Sequence, residues 1–552
     1  MNARAVVTFW ALAATATADI GAAQSLGLAT GRDLPAWMVS WSPLDSHADL
    51  PRLMPSASTA LPLLLLPPPK VGLFWLTGNP AAFPADVGEA YSNFMSARSG
   101  QSGDYRRPLD PGGSSLTQVS AVSWRPVGTQ GAAIGRIIVD QETLDPGSKA
   151  DVTQPYTSNP FVVTDTSTSP MRRVRARLEG AAGARLGPWA VGGALGYETR
   201  DNYTVHAAFA RFDRQVTPAL TVGLTRSFGD SGLTVGVHGR WSGGAETIEM
   251  YQNTLGGRIY QLEGYSDVVA RDQVTYYRRM ESDEASAGAG ASGRMGAGRW
   301  VVFGDWARYR DGLWSQLNTD NPAKDRWETH AWSVGAAVQQ ALWGGRWLLT
   351  VQGRWFSLNG QGDLAMDSAG VIFWAHEHSL SGSAELRLLP VEDGWTAVAV
   401  LSVVNERRNR ADSAAGIWTT LETLTPGIAI EAGRTALRNV FVSGGVAIAS
   451  YMPRGEIPER LARGTVYQTL IAPEMDFYAT KATTTALSLG VRWQVRDGTA
   501  LWLAARSETL SPTSGYQQVS GYSPQGSRTA SYVAVGVSLS AAGGSPPQVG
   551  TR

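Results

Sequence analysis

The chain has 552 residues, with 47 basic and 47 acidic side chains and no cysteine. Zero formal charge excludes the basic excess that nucleic-acid binding requires, and the missing thiols exclude disulfides, thiolate metal sites and cysteine nucleophiles. With 62 glycines, 20 tryptophans and only 17% charged residues, the composition fits an all-β chain with many crowded positions.

The first element in chain order is an export signal over residues 1–23. Arg4 supplies its positive start, "AVVTFWALAATATA" a short apolar stretch, and "IGAAQS" a small-residue cleavage site after Ala23. Neither this stretch nor any later one reaches the ~20 apolar residues of a membrane-spanning helix; "LPLLLLPPP" (61–69) is broken by its prolines.

Residues 24–89 are proline-rich and show no strand alternation. Leu63 to Leu66, Phe74, Trp75 and Leu76 make this stretch apolar, and Asn79, Pro80 and Ala81 stand shortly before the first alternating segment. An Asn-Pro-Ala element at this place resembles the amino-terminal region of long-chain fatty acid transporter-like outer-membrane proteins. The resemblance implies a hatch that enters a barrel, and burial of these apolar residues independently favours a plug over an extended periplasmic leader.

From about residue 90 to 540 the period is two. In "LTVGVHGRWS" (233–242), Leu233, Val235, Val237 and Trp241 oppose Thr234, His238, Arg240 and Ser242. The same alternation runs through 173–179, 347–355, 487–496, 501–508 and 532–540. These segments exceed soluble strands and match the ~9–11 residues of a tilted membrane strand. Trp189, Trp300, Trp347 and Trp395 follow short turns, and Tyr197 and Trp355 lie eight residues beyond Trp189 and Trp347. That spacing corresponds to roughly 20 Å along a tilted strand, the height between two aromatic girdles. Short turns at 126–130, 187–188, 229–231, 296–298, 344–345, 390–394, 433–438 and 497–499 alternate with long polar connections. The latter include 142–170, 200–217, 243–271, 409–416 and 453–476. The expected fold is a closed antiparallel transmembrane β-barrel of about 18 strands, within a range of about 14–18, carrying an N-terminal hatch or plug. Residues 541–552 form a polar tail.

The predicted inner face carries Arg173, Arg175, Arg177, Arg240, Arg354, Arg387, Arg492, Arg496 and Arg506, with Glu179, Glu385 and Glu508 on the same side. This pattern reads either as an anion-attracting constriction or as a structural ladder of ion pairs. His376 and His378 in "WAHEHS" are too few for a metal site. His238 and Ser242 lie too far apart along their strand for nucleophilic catalysis, and "GDSG" (229–232) fits a turn. No catalytic group, cofactor, metal or nucleic-acid partner is expected. The expected setting is the outer membrane of a Gram-negative cell, surrounded by its lipid. The expected role is a channel or transporter for a small solute; the alternative is a scaffold or adhesin whose long loops bind a surface lipoprotein or a transporter partner.

Overall fold

The computed structural model describes residues 64–65 and 71–540. Within that span, 88–89, 107–109, 146–160, 166–169, 205–208, 230–231, 253–258, 264–266, 272–274, 316–324, 364–370, 390–393, 414–415, 438, 455–471 and 514–525 are not described. The expected export signal, residues 24–63 and the C-terminal tail lie outside the described residues.

The strands in chain order are β1 (Tyr91–Gly103), β2 (Gly113–Val127), β3 (Gly131–Asp145), β4 (Phe161–Asp165), β5 (Met171–Leu186), β6 (Trp189–Thr204), β7 (Phe209–Phe228), β8 (Leu233–Gln252), β9 (Ile259–Glu263), β10 (Asp267–Arg271) and β11 (Thr275–Met295). They continue with β12 (Gly298–Ser315), β13 (Asp325–Leu342), β14 (Trp347–Asp363), β15 (Val371–Leu388), β16 (Trp395–Asp412), β17 (Ile417–Leu437), β18 (Val440–Arg454), β19 (Ala482–Arg496), β20 (Thr499–Pro512) and β21 (Arg528–Ser540). Short helices are α1 (Leu73–Thr77), α2 (Phe83–Asp86) and α3 (Ala472–Ala479).

Eighteen of these strands form one antiparallel sheet in which each pairs with its sequence neighbours, while β4, β9 and β10 make a separate three-stranded sheet. The large sheet closes because β1 pairs with β21 as well as with β2, from Tyr91↔Ser540 to Gly103↔Arg528. Closure leaves no open edge, the condition for placing a sheet in hydrocarbon.

The period-two alternation sorts the side chains as expected. Val235, Val237 and Trp241 point outward, as do Leu487, Leu489 and Trp493 on β19 and Leu501 and Leu503 on β20; all are exposed. Their even-numbered neighbours on β8, among them His238 and Arg240, face the lumen. Trp189 and Trp395 stand exposed at the short-turn end, and Tyr197 and Trp355 at the far side of the apolar band. In the short turns Gly128, Gly187, Gly296 and Gly498 adopt positive φ, a conformation that glycine enters without steric cost.

The long connections are shorter than their sequence suggests. β6 and β7 run to Thr204 and from Phe209 as one extended hairpin through the expected 200–217 loop. β8 likewise continues to Gln252, within the expected 243–271 loop, and β16 extends to Asp412, within the expected 409–416 loop. Beyond the apolar band both strand faces are polar, so the alternation that marks a strand disappears while the backbone ladder continues. Exterior ion pairs mark this zone: Arg214–Asp201 at 2.8 Å, Arg279–Glu281 at 3.1 Å and Arg407–Glu422 at 3.3 Å.

Arginine placed at Val222, in the middle of the exterior band, is expected to cost about 2–4 kcal/mol in urea unfolding from lipid vesicles, against about 0–1 kcal/mol at Phe228 near the turn. Equal costs at both depths would contradict a lipid-facing exterior.

Candidate functional site in the barrel lumen

The segment before β1 lies inside the barrel. Gly78 ends α1 with φ +73°, and a 3-10 turn (Pro80–Ala82) leads into α2. Asp86 folds this unit on itself: its carboxylate accepts from the Phe74 amide (2.7 Å) and its carbonyl from the Trp75 indole (3.3 Å). The Gly72 that precedes α1 brings no side-chain cap, so Asp86 supplies that acceptor from a distance. Phe74 and Phe83 pack at 4.4 Å, and Trp75 meets Trp124 of β2 edge-on at 5.8 Å. Wall residues Ile134, Ala181, Ala194, Val301 and Ala337 complete this buried cluster.

A row of glycines makes that packing possible. Gly183 pairs with Gly192 and Gly192 with Gly223, and Gly236 pairs with Gly290, in successive strands from β5 to β11. A methyl group on Gly192 would stand 2.5 Å from the Pro80 carbonyl oxygen, and one on Gly290 would stand 2.7 Å from Leu73. The segment therefore rests on bare backbone. Asn79 fixes its position: the side-chain amide donates to the Val237 carbonyl (3.0 Å), and its oxygen accepts from the Ala81 amide (3.0 Å). Arg185 donates to the Pro84 carbonyl (2.8 Å). On the opposite wall, the Leu64 amide donates to Glu431 of β17 (3.1 Å), and Leu65 packs beside Trp502 and over Gly490. Asn79, Pro80 and Ala81 are thus wall contacts at the short-turn end of the lumen.

The other end is overlaid from two sides. Phe161 leaves the wall between β3 and β5 and packs on Leu313, Trp327, Phe373 and Ala375 of β12, β13 and β15. Its carbonyl accepts from Arg278 (2.8 Å), which is 1% exposed. β9, from the β8–β11 connection, pairs with both β4 and β10. On the opposite side, Phe477 of α3 lies 4.8 Å from Tyr105, and the Tyr451 hydroxyl donates to the Tyr478 carbonyl (2.8 Å).

Between these ends the wall is charged but compensated. Arg173 pairs with Glu142 (3.0 Å), Arg175 with Asp140, and Arg177 with Glu179 (2.6 Å) and Glu198 (3.7 Å). Arg136 adds a contact to Glu179 (3.7 Å) and Arg200 pairs with Glu198 (2.5 Å). Arg387 pairs with Glu385 (3.0 Å) and Arg506 with Glu508 (3.0 Å), each two residues apart on one strand. Arg354 donates to Ser333 (3.1 Å), which donates to Asp305 (3.3 Å), and Asp305 also meets His238 (3.3 Å). A buried terminal nitrogen of Arg240 has no hydrogen-bond partner among the described residues. Arg492 faces the lumen in register with Phe441 and Trp502, and Arg496 donates to Thr499 at the turn (3.2 Å).

The sequence missed Asp140, Glu142, Glu198 and Asp305. They sit outside the segments whose alternation is clearest, and only the register of β3 and β6 against β5, and of β12 against β13, places them. Ser242 and His238 have separate partners, Glu284 (3.4 Å) and Asp305. Gly229 and Gly232 take positive φ in the β7–β8 turn, with Asp230 and Ser231 outside the described residues. His376 and His378 lie on the exterior face of β15, with rings 4.5 Å apart.

A closed antiparallel barrel with an apolar outer band, short turns at one end and long connections at the other is an outer-membrane barrel, its short-turn end in the periplasm. Residues 80–540 match a family of unknown function, DUF6850, and the chain belongs to it. No curated protein matches it in sequence. Among solved structures it is similar to the ferric enterobactin receptor of Pseudomonas aeruginosa, at 9% identity and TM-score 0.40 over 82% of this chain and 80% of that one. It is also similar to the siderophore receptor PiuA of Acinetobacter baumannii (10%, TM-score 0.37, 81% and 82%) and to the copper transporter OprC (9%, TM-score 0.38, 83% and 81%). At these values the likeness adds nothing to the barrel seen directly in the chain.

Removing one member of a buried pair strands its partner. Asp140→Asn is expected to destabilise the folded barrel by about 3–5 kcal/mol, and adding Arg175→Met to recover most of that loss. Unfolding of both variants from vesicles checks this; a double variant no more stable than Asp140→Asn would contradict a paired wall.

Proposed function

We propose that the protein is an outer-membrane transporter for a small polar solute, with residues 64–86 acting as a hatch at the periplasmic mouth. One observation carries this reading: residues 72–86 rest inside the barrel on a floor of wall glycines. An 18-stranded barrel has room for an aqueous channel, so a structural filler alone would call for a fuller plug. The seat made by Gly192 and Gly223 carries no side chains, and movement of the segment requires release of the bonds from Asn79, Arg185, Thr225 and the Leu64 amide together with withdrawal of Phe74, Trp75 and Phe83 from the apolar cluster against Trp124. Most of the wall arginines, with Arg240, Arg492 and Arg496 as exceptions, face a carboxylate, and this pairing favours a polar solute over selection of anions. A long-chain hydrophobic solute, which the Asn-Pro-Ala resemblance implies, would meet this charged wall along most of its path.

Planar-bilayer conductance tests the proposal. The natural protein should be nearly silent, whereas a Gly192→Leu, Gly223→Leu double variant and a deletion of residues 64–86 should each conduct roughly tenfold more, as an emptied barrel of this size would. Heat-modifiable gel mobility verifies that both remain folded. A folded deletion variant as silent as the natural protein would defeat transport and leave the loop-binding scaffold as the better account.

A further inference from the structure

The barrel exterior carries a feature that solute passage does not use. On six neighbouring strands, β12 to β17, cross-strand register sets the outward side chains in rows. One row reads Trp306, Trp332, Ser357, His378, Arg407 and Glu422. Trp306 lies 6.5 Å from Trp332, and Trp355, one step lower, stacks with His378 at 6.4 Å. This is the outer aromatic girdle. Two steps lower the row is Val302, Ala336, Gly353, Gly382, Val403 and Pro426, without a charge.

One step above the girdle stand Arg308, His330, Asn359, His376, Asn409 and Thr420. This row contains a guanidinium, two imidazoles, two amides and a hydroxyl, and not one carboxylate. Three of the chain's six histidines lie here or directly beside it, at 330, 376 and 378. At one end the neighbouring acid, Glu328, is shared three ways, by Arg308 (2.7 Å), Arg310 (3.3 Å) and His330 (3.2 Å), and at the other Glu422, one step below Thr420, is taken up by Arg407 (3.3 Å). At Glu328 one negative charge thus faces two guanidiniums and an imidazole, and the Arg308 and His330 side chains remain 34% and 46% exposed. At ~4.8 Å between strands the row runs for about 20 Å from Arg308 to Asn409, one pleat (~7 Å) beyond the tryptophans.

We propose that this row docks the phosphate-bearing headgroup of a lipid in the outward-facing leaflet. Its height selects the occupant. Aromatic girdles lie at the headgroup boundary, so a donor row one pleat further out meets headgroups, while the chains below it run over Trp332, Trp355 and the flat Gly353–Gly382 pair. The charge is complementary: guanidinium and imidazole donors form short, strong hydrogen bonds to phosphate oxygens, and basic side chains at a membrane surface favour anionic lipid. A free solute would have no reason to prefer this outer wall to the lumen.

The full-length barrel in detergent, titrated with a phosphorylated glycolipid, its dephosphorylated form or inorganic phosphate, tests the assignment by native mass spectrometry. The natural protein is expected to retain the phosphorylated lipid and lose the dephosphorylated one. Arg308→Gln should weaken retention about fivefold, the effect of one surface cation, and Arg308→Gln with His330→Gln and His376→Gln should abolish the preference. Arg214→Gln, an exterior change on β7 outside the row, should leave it intact. Heat-modifiable mobility shows whether each variant folds, and Arg308→Gln alone decides the matter if the triple variant does not. Equal retention of both lipids, an unchanged preference in Arg308→Gln, or displacement of the lipid by millimolar-range inorganic phosphate would each overturn the proposal.

Discussion

A peptide group in hydrocarbon has no water to bond, and leaving one unpaired costs several kcal/mol. Everything else in this barrel follows from satisfying that demand with strands. The β1–β21 seam completes the ladder, and once the sheet is closed every residue must choose between lipid and lumen. The choice alternates with period two. Val235 and Val237 therefore meet lipid, while His238, the residue next to Val237, meets Asp305 inside.

Closure also creates an interior that must be filled or wetted. At the periplasmic mouth it is filled by α1, α2 and the turn between them, with aromatic rings against Trp124 and backbone against glycine. In the body it is lined by arginines and carboxylates that compensate one another across strands β3, β5 and β6. Such pairs hold little net attraction over their desolvation cost, but they fix the wall and remove the field that would bind an anion tightly. At the outer mouth Arg278 and Phe161 join a loop to the far wall. The lumen is thus occupied at both ends by segments drawn from outside the barrel sheet.

Much of this could be read from residues alone, and the reason is the strict period of the lipid-facing side. The turn at Gly187-Pro188, the tryptophans at 189, 347 and 395, and the inward direction of Arg175 and Arg506 all followed from alternation within single strands. What depended on register did not follow. Gly183, Gly192, Gly223, Gly236 and Gly290 are scattered over more than a hundred positions, and they become a seat only when five strands lie side by side. The same holds for Asp140 opposite Arg175 and for the exterior row from Arg308 to Asn409. Strand ends beyond the band were missed for a further reason: Asp201 lies between Arg200 and Asn202, and Arg214 between Asp213 and Gln215, so hydrophobicity carries no period there. Asn79, Pro80 and Ala81 stood out by resemblance, but their contacts with Val237 and the glycine floor came only with the fold.

The central claim is that alternate side chains face lipid and an aqueous interior around a closed sheet. Since the chain has no cysteine, single cysteines carrying a spin label can be placed at each position from 233 to 242 in vesicles. Collision with oxygen, which concentrates in lipid, should peak at 233, 235, 237, 239 and 241, and collision with a water-soluble nickel chelate should be low at those same positions. Accessibility that varies smoothly along the strand, or that follows the opposite parity, would contradict the account.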